Sequence, residues 1–196
     1  MKKFTTVTRK KEVEEPTSKP ALYSGNYLSI VDIEGWEAVQ EKDCVIVLPH
    51  FTDFDEIILR KEDIPPFKSR DKQNFFLTAV SGTVEEGEEP LEAAIRELEE
   101  EAGVQLHTTY KAQKLWGSFF MSKGNTAKYH LYYMPMKSTD YQKVAPKGDG
   151  SESEDKSTSV RVNIQYLDSL NPSDTVTALV INYTKNELAN ILRYKF

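Results

Sequence analysis

The chain has 196 residues and a mass of 22.4 kDa, a length that suits one domain with appendages. Apolar residues make up 39% and aromatics 11%, enough for one sizeable core and too many for a mostly disordered chain. No run approaches the roughly 18 apolar residues of a membrane helix, so none is expected. The basic N-terminus has no apolar stretch behind it, so no secretory signal is expected either. One cysteine, Cys44, can make neither an internal disulfide nor a cysteine-rich zinc site, and a reducing, cytoplasm-like compartment fits best. The acidity is local: residues 85–101 hold nine glutamates against Arg96 and carry −8, while the whole chain carries −6, leaving +2 elsewhere. A nucleic-acid backbone calls for a basic excess that is not here. Clustered carboxylates point instead to a hard divalent cation or a solvated surface.

Residues 1–20 hold few apolar side chains and read as a disordered tail ahead of a domain over 21–196. Tyr27–Ile33 and Trp36–Val39 read as two strands joined by a tight turn at Glu34-Gly35. Cys44–Leu48 is an apolar, β-branched run suited to a buried strand, and Glu56–Arg60 is another strand. Pro65-Pro66 marks the end of regular structure, and Phe75–Val80 returns to strand. Glu89-Pro90 opens the clearest helix, since proline fits the first helical turn. Leu91, Ile95, Leu98 and Ala102 follow as one apolar stripe, and Gly103 suits the C-terminal stop. Leu115–Met121 and Tyr129–Met134 read as paired strands around a turn at 122–125. Residues 137–159 read as a long mobile polar loop. Val160–Tyr166 is one more strand, and Ser173 or Asp174 can cap a C-terminal helix carrying Val176, Leu179, Val180, Tyr183, Leu188 and Ile191. Strands and helices in this order predict an α+β, mixed α/β layered fold.

On the predicted helix, Glu97, Glu100 and Glu101 stand at i, i+3 and i+4, which puts three carboxylates on one face. Like charges at that spacing weaken a helix by a few tenths of a kcal/mol per pair. Arg96 can reach Glu92 or Glu100 and cancels one charge only. Bound Mg²⁺ or Mn²⁺ would relieve the remainder, because these ions take oxygen ligands. An ordinary glutamate-rich exposed helix is the alternative.

From Gly82 the chain reads Gly82-x5-Glu88-x7-Arg96-Glu97-Leu98-x-Glu100-Glu101-x-Gly103-Val104. This resembles a complete Nudix box, with all seven fixed residues present and Leu98 and Val104 at its aliphatic positions. At roughly one chance in ten to twenty per position, coincidence is on the order of 10⁻⁷ or less. The resemblance implies a Nudix fold, a mixed β-sheet sandwiched between helices with a loop–helix–loop catalytic motif. It implies hydrolysis of a nucleoside diphosphate linked to another moiety, with Mg²⁺ or Mn²⁺ as cofactor. Carried over by position, Glu97, Glu100 and Glu101 bind metal, with the carbonyl of Ser81 as a further ligand. Arg96 holds the glutamates by ion pairing, Gly82 permits the loop turn, and Glu88 is structural or outer-shell.

The layout of residues 44–51, 56–67, 75–104, 116–134 and 160–192 resembles the ADP-ribose and nucleotide-sugar pyrophosphatase branch. The chain departs from that branch in places. Ser118, Phe119, Phe120 and then Lys123 stand where a proline is common, Lys128 near a usual glutamate, and Asp63 and Pro65 near a usual arginine. A mobile acidic loop often supplies the branch's base, which makes Glu154 and Asp155 the candidates, with Lys156 nearest the expected position. A solvated linker is the other reading. The resemblance also implies a homodimer with exchanged N-terminal strands, for which the 27–39 hairpin is available.

Arg60, Lys61 and Arg70 are candidates for phosphate oxygens or exposed solubilising charges. Phe119 and Phe120, with Trp116 and Tyr129, are candidates for stacking on a nucleobase or for the core. His50, His107 and His130 form no ligand-spaced pair and read as structural. Cys44 reads as a buried small hydrophobe. Ser118 and Ser122 show no base nearby in sequence, so a serine nucleophile is unsupported. The expected function is pyrophosphate hydrolysis of ADP-ribose or a nucleotide sugar. The alternatives are dinucleoside polyphosphates, NADH, (d)NTPs or capped RNA as substrate, or a non-catalytic nucleotide-sensing module.

Overall fold

A computed structural model describes residues 21–147 and 156–193; the expected tail 1–20 and the acidic stretch 148–155 lie outside the described residues. The apolar run that begins at Cys44 extends through Phe51 as β4 (Cys44–Phe51), buried along nearly its whole length. Such a run is what a strand covered on both faces requires. On one side β4 pairs in parallel with β10 (Lys128–Met136), in register from Cys44 with Tyr129 to Phe51 with Met136. Its other side is shared between two partners. Residues 44–47 pair with β7 (Val80–Thr83), and His50 and Phe51 pair with β5 (Glu56–Glu62), both antiparallel. The sheet therefore splits. β5 continues away from β4 to pair with β6 (Phe76–Thr78) and β12 (Thr158–Asn163), while β9 (Lys114–Phe120) closes the far edge beside β10.

Alternate residues of β4 feed two cores, as the strand period of two demands. Val45, Val47 and Phe51 pack with Ala93, Ala94 and Leu98 of α2 (Pro90–Ala102). Ile46 and Leu48 pack with Val176, Val180 and Ile181 of α3 (Thr175–Arg193). The result is the helix–sheet–helix layering expected of this α+β chain. Asp174 starts α3 by accepting from the Thr177 N–H at 2.8 Å, one of the two caps foreseen. No helix among the described residues is long and apolar enough to cross a membrane.

Several boundaries differ from expectation. Pro65-Pro66 does not end regular structure but opens a short helix, α1 (Pro65–Lys68), because both prolines fall where helical N–H groups go unpaired. The strand at 75–80 breaks at Ala79, where the chain leaves β5 and joins β4. In the expected polar loop at 137–159, Tyr141–Lys143 form β11, which pairs with β8 (Val104–Leu106). Tyr141 is what pins it: the ring is buried against Phe51 with centroids 5.0 Å apart. The last strand stops at Asn163 and continues as a 3₁₀ turn over Ile164–Ser169.

The expected hairpin is present as β2 (Ser29–Ile33) and β3 (Trp36–Gln40), with Glu34 and Gly35 at φ of 55° and 86°. A two-residue turn with both φ positive matches the twist of paired strands. β1 (Tyr23–Ser24) adds a third strand. This small sheet is tied to the rest by Val39 N donating to Gly124 O at 2.8 Å and Thr126 N donating to Val39 O at 2.9 Å.

Candidate active site

The catalytic-looking helix has well-made ends. Pro90 occupies its first turn, and the Glu89 N–H donates to the Glu92 carboxylate at 3.1 Å. It stops at Gly103, whose φ of 64° lies in the left-handed region, with its N–H donating to Glu99 O at 3.1 Å. A Cβ at Gly103 would meet the Val144 carbonyl at 2.5 Å.

Of the stripe expected from Leu91, Ile95, Leu98 and Ala102, all but Ile95 pack on the core. Ile95 is 37% exposed, whereas Ala93, Ala94 and Leu98 are fully buried. The two small alanines let the helix lie close to the sheet, and two acidic side chains share this inward side. Glu97 and Glu101 are only 8% and 6% exposed. The notch that receives Glu97 is Gly82: a Cβ there would stand 1.9 Å from the Glu97 carboxyl carbon.

Arg96 organises the outer half of the group. Its Nε and Nη2 donate to the two oxygens of Glu88, each at 3.0 Å, and Nη2 also donates to Thr83 O at 2.9 Å. Nη1 reaches Glu97 at 2.6 Å and Glu100 at 3.0 Å, so two carboxylates flank one cationic nitrogen. The paired guanidinium holds the Glu88 carboxyl below the usual carboxylate range, and Glu88 in turn raises Arg96 further. Glu88 also accepts from the Glu85 N–H at 3.0 Å, closing the loop ahead of the helix.

Glu101 occupies the inner half. One carboxylate oxygen accepts from the Ser81 N–H at 3.0 Å, and the other lies 3.7 Å from Arg60 Nε. Burial pushes its carboxyl up to about 8 against the opposing pull of Arg60 and the Ser81 N–H. A carboxylate so desolvated gains most from a nearby positive charge. Glu97, Glu100, Glu101, Arg96, Ser81 and Gly82 all line one cleft of about 660 Å³. Among the described residues no three acidic, cysteine or histidine side chains converge on one point as a ready cation cage. The all-oxygen donor set nevertheless suits a hard dication, and Glu97 and Glu100 already close on one positive centre.

The remaining expected residues fall elsewhere. Arg60 is buried beneath the C-terminal end of α2 and does not line the cleft. Phe119 points toward α3, its ring 6.5 Å from Tyr183, and Phe120 is exposed near Lys128. Neither lines the cleft. Trp116 is core, stacked between Tyr133 and Tyr183. Glu154 and Asp155 lie outside the described residues. Cys44 is half-buried and lines the cleft rather than filling the core.

Ser118 does have an imidazole partner, contrary to the sequence reading. Its Oγ is 2.7 Å from His130 Nδ1, and His130 Nε2 is 3.4 Å from Asp43. The pairing of β9 with β10 brings them face to face across the strands, which sequence separation conceals. The cleft also includes Asn26, Tyr27, Glu41 and Lys42, none of them foreseen. The only signal for the latter pair was a charged run immediately ahead of an apolar strand.

The family model of the NUDIX domain matches residues 44–167. Among solved structures, the crystal structure of an ADP compounds hydrolase is similar, with a TM-score of 0.63 and 18% identity over 87% of this chain and 91% of that one. At that identity the likeness speaks for the fold. No curated protein matches the sequence. The chain belongs to the NUDIX family. It is a Nudix pyrophosphohydrolase, of a class that acts on nucleoside diphosphate derivatives and generally works with divalent metal ions.

Proposed function

We propose that this enzyme hydrolyses the pyrophosphate bond of ADP-ribose or a nucleotide sugar, using Mg²⁺ or Mn²⁺ held by Glu97, Glu100, Glu101 and the carbonyl of Ser81. The observation that carries this reading is the inward turn of Glu97 and Glu101 onto Gly82 and Ser81. Burying carboxylates costs free energy that an apolar residue would avoid, and a bound dication returns it. The similar solved structure is described as an ADP compounds hydrolase, which favours an adenosine diphosphate derivative.

When bound, the metal would neutralise diphosphate charge and acidify an attacking water. Around it, this chain's residues do the positioning. Arg96 holds Glu97 and Glu100 together through one nitrogen, and Glu88 holds Arg96 from behind. The Ser81 N–H and the Gly82 notch fix Glu101 and Glu97 against the sheet. Tyr27 and Lys42 at the cleft rim offer a ring for a base and a charge for a phosphate.

Glu154 or Asp155 would accept the water's proton. Both ends of the segment that carries them are fastened to the end of α2: Lys147 N donates to Glu100 O at 3.1 Å, and Ser159 Oγ to Glu101 O at 2.8 Å. A homodimer built through the N-terminal sheet would cover Leu22, Tyr23, Ile33 and Trp36, all exposed. Light scattering should give twice the chain mass, and a monomer at micromolar concentration would exclude that assembly.

The test of the reaction is product analysis. ADP-ribose with Mg²⁺ should give AMP and ribose phosphate, and Glu101→Gln should lose most turnover while keeping its circular dichroism spectrum. Dinucleoside polyphosphates, NADH, (d)NTPs and capped RNA compared by kcat/KM rank the alternatives. Turnover unchanged in Glu101→Gln would remove that residue from the mechanism.

A further inference from the structure

Arg60 combines three properties that a phosphate-binding arginine would not show. It is 4% exposed, it lies outside the cleft, and its guanidinium faces Glu101, Glu62 and Ser159. Its Nη1 donates to the main-chain oxygen of Glu101 at 2.9 Å, while its Nε faces the Glu101 carboxylate at 3.7 Å. One guanidinium thus grips a single glutamate at both its backbone and its side chain. The fork shape of arginine makes this possible; a lysine ammonium has no second nitrogen to offer.

The grip is braced from three strands. Arg60 stands on β5 opposite Ser159 of β12 and Thr78 of β6. Ser159 Oγ donates to the same Glu101 oxygen at 2.8 Å and lies 3.4 Å from Arg60 Nη1. Thr78 Oγ1 donates to Glu62 at 2.5 Å, and the other Glu62 oxygen lies 3.9 Å from Arg60 Nε. Arg60 Nε is buried and makes no hydrogen bond among the described residues, so it stands between two carboxylates without committing to either. The last turn of a helix leaves its carbonyls unpaired, and the Glu101 carbonyl is one of them. Arg60, with Ser159, satisfies that carbonyl.

We propose that Arg60 is a positioning residue that acts through Glu101, holding the end of α2 and the Glu101 carboxylate in the register needed to bind the divalent cation. This rests on the reading that Glu101 is a metal ligand. Partners that orient a ligand from behind typically change metal affinity by about 10–100-fold when removed. Arg60→Met should therefore weaken Mn²⁺ binding, followed by the loss of the free-ion resonance signal, by about tenfold or more. kcat should fall with it, while KM for the nucleotide stays within about twofold, since Arg60 touches no substrate.

Arg60→Lys keeps the charge but not the fork and should fall between wild type and Arg60→Met. Ser159→Ala, which removes only the shared hydroxyl, should weaken Mn²⁺ binding by a smaller factor; it keeps the test open if Arg60→Met does not fold. In a Glu101→Gln background, Arg60→Lys should cause no additional loss of Mn²⁺ affinity. A raised KM with unchanged kcat, a lowered melting temperature with unchanged Mn²⁺ affinity, or fully additive losses with Glu101→Gln would each overturn the assignment. A wild-type protein that takes up no Mn²⁺ overturns the metal reading beneath it; uptake that Arg60→Lys leaves intact sinks the Arg60 role alone.

Discussion

Glu97 and Gly82 are best understood as one unit, because the carboxyl of the first occupies the space where the second lacks a side chain. Gly82→Ala should expel Glu97 from its notch. Displacing a catalytic group by about 1 Å can cost about a hundredfold in rate, and that is the loss expected in kcat/KM. The His50 ring carries a different residue-level consequence. It is buried, its Nδ1 bonds the Tyr133 hydroxyl at 2.5 Å, and burial holds its pKa below the usual 6.5. The unfolded chain therefore binds a proton at about 6.5 that the folded chain takes only at lower pH. Stability is undiminished above pH 6.5 and falls as pH drops from there toward the folded value, by at most about 1.4 kcal/mol per unit. Glu101, raised to about 8, shifts stability the other way over this range, so the His50 share is read as a difference: in urea titrations wild type should lose ground to His50→Gln on going from pH 7.5 to 5.5.

At the scale of elements, the two helices have separate tasks. α3 packs against the face of the sheet opposite α2, and none of its described side chains lines the cleft. Ile181→Ala should cost about 2–5 kcal/mol in denaturant melts and leave kcat at the wild-type level for the folded protein. Gly103→Ala should do the reverse in kind, because it strains a left-handed cap and pushes on Val144 at the end of α2. A stability loss of about 1–2 kcal/mol is expected for the backbone alone, with reduced activity besides.

The ends of α2 were legible in the sequence because proline and glycine act locally. Which of its sides lies down was legible in part: Leu91, Leu98 and Ala102 pack on the core as their spacing implies, and Ile95 does not. A count of hydrophobicity chooses Ile95, while close approach to the sheet chooses Ala93 and Ala94 and draws Glu97 into a notch that only the folded chain creates.

For the molecule as a whole, the box residues were readable because the reaction demands fixed spacing along one loop and helix. Arg60 with Glu101, and Ser118 with His130, were unreadable for the opposite reason: strand pairing brings them together from distant positions. The split of the sheet at β4 is the global feature that joins these levels. One arm delivers Ser81 and Gly82, the other delivers Arg60, and both meet the same helix from below. The account stands or falls on whether that meeting point holds a dication. Calorimetric titration of Mg²⁺ or Mn²⁺ into the protein with a non-hydrolysable ADP-ribose analogue reads it directly. Saturable uptake in the wild type, weakened by about tenfold or more in Glu97→Gln and in Glu101→Gln, is the predicted result; absence of uptake in the wild type, or wild-type affinity in both variants, would contradict it.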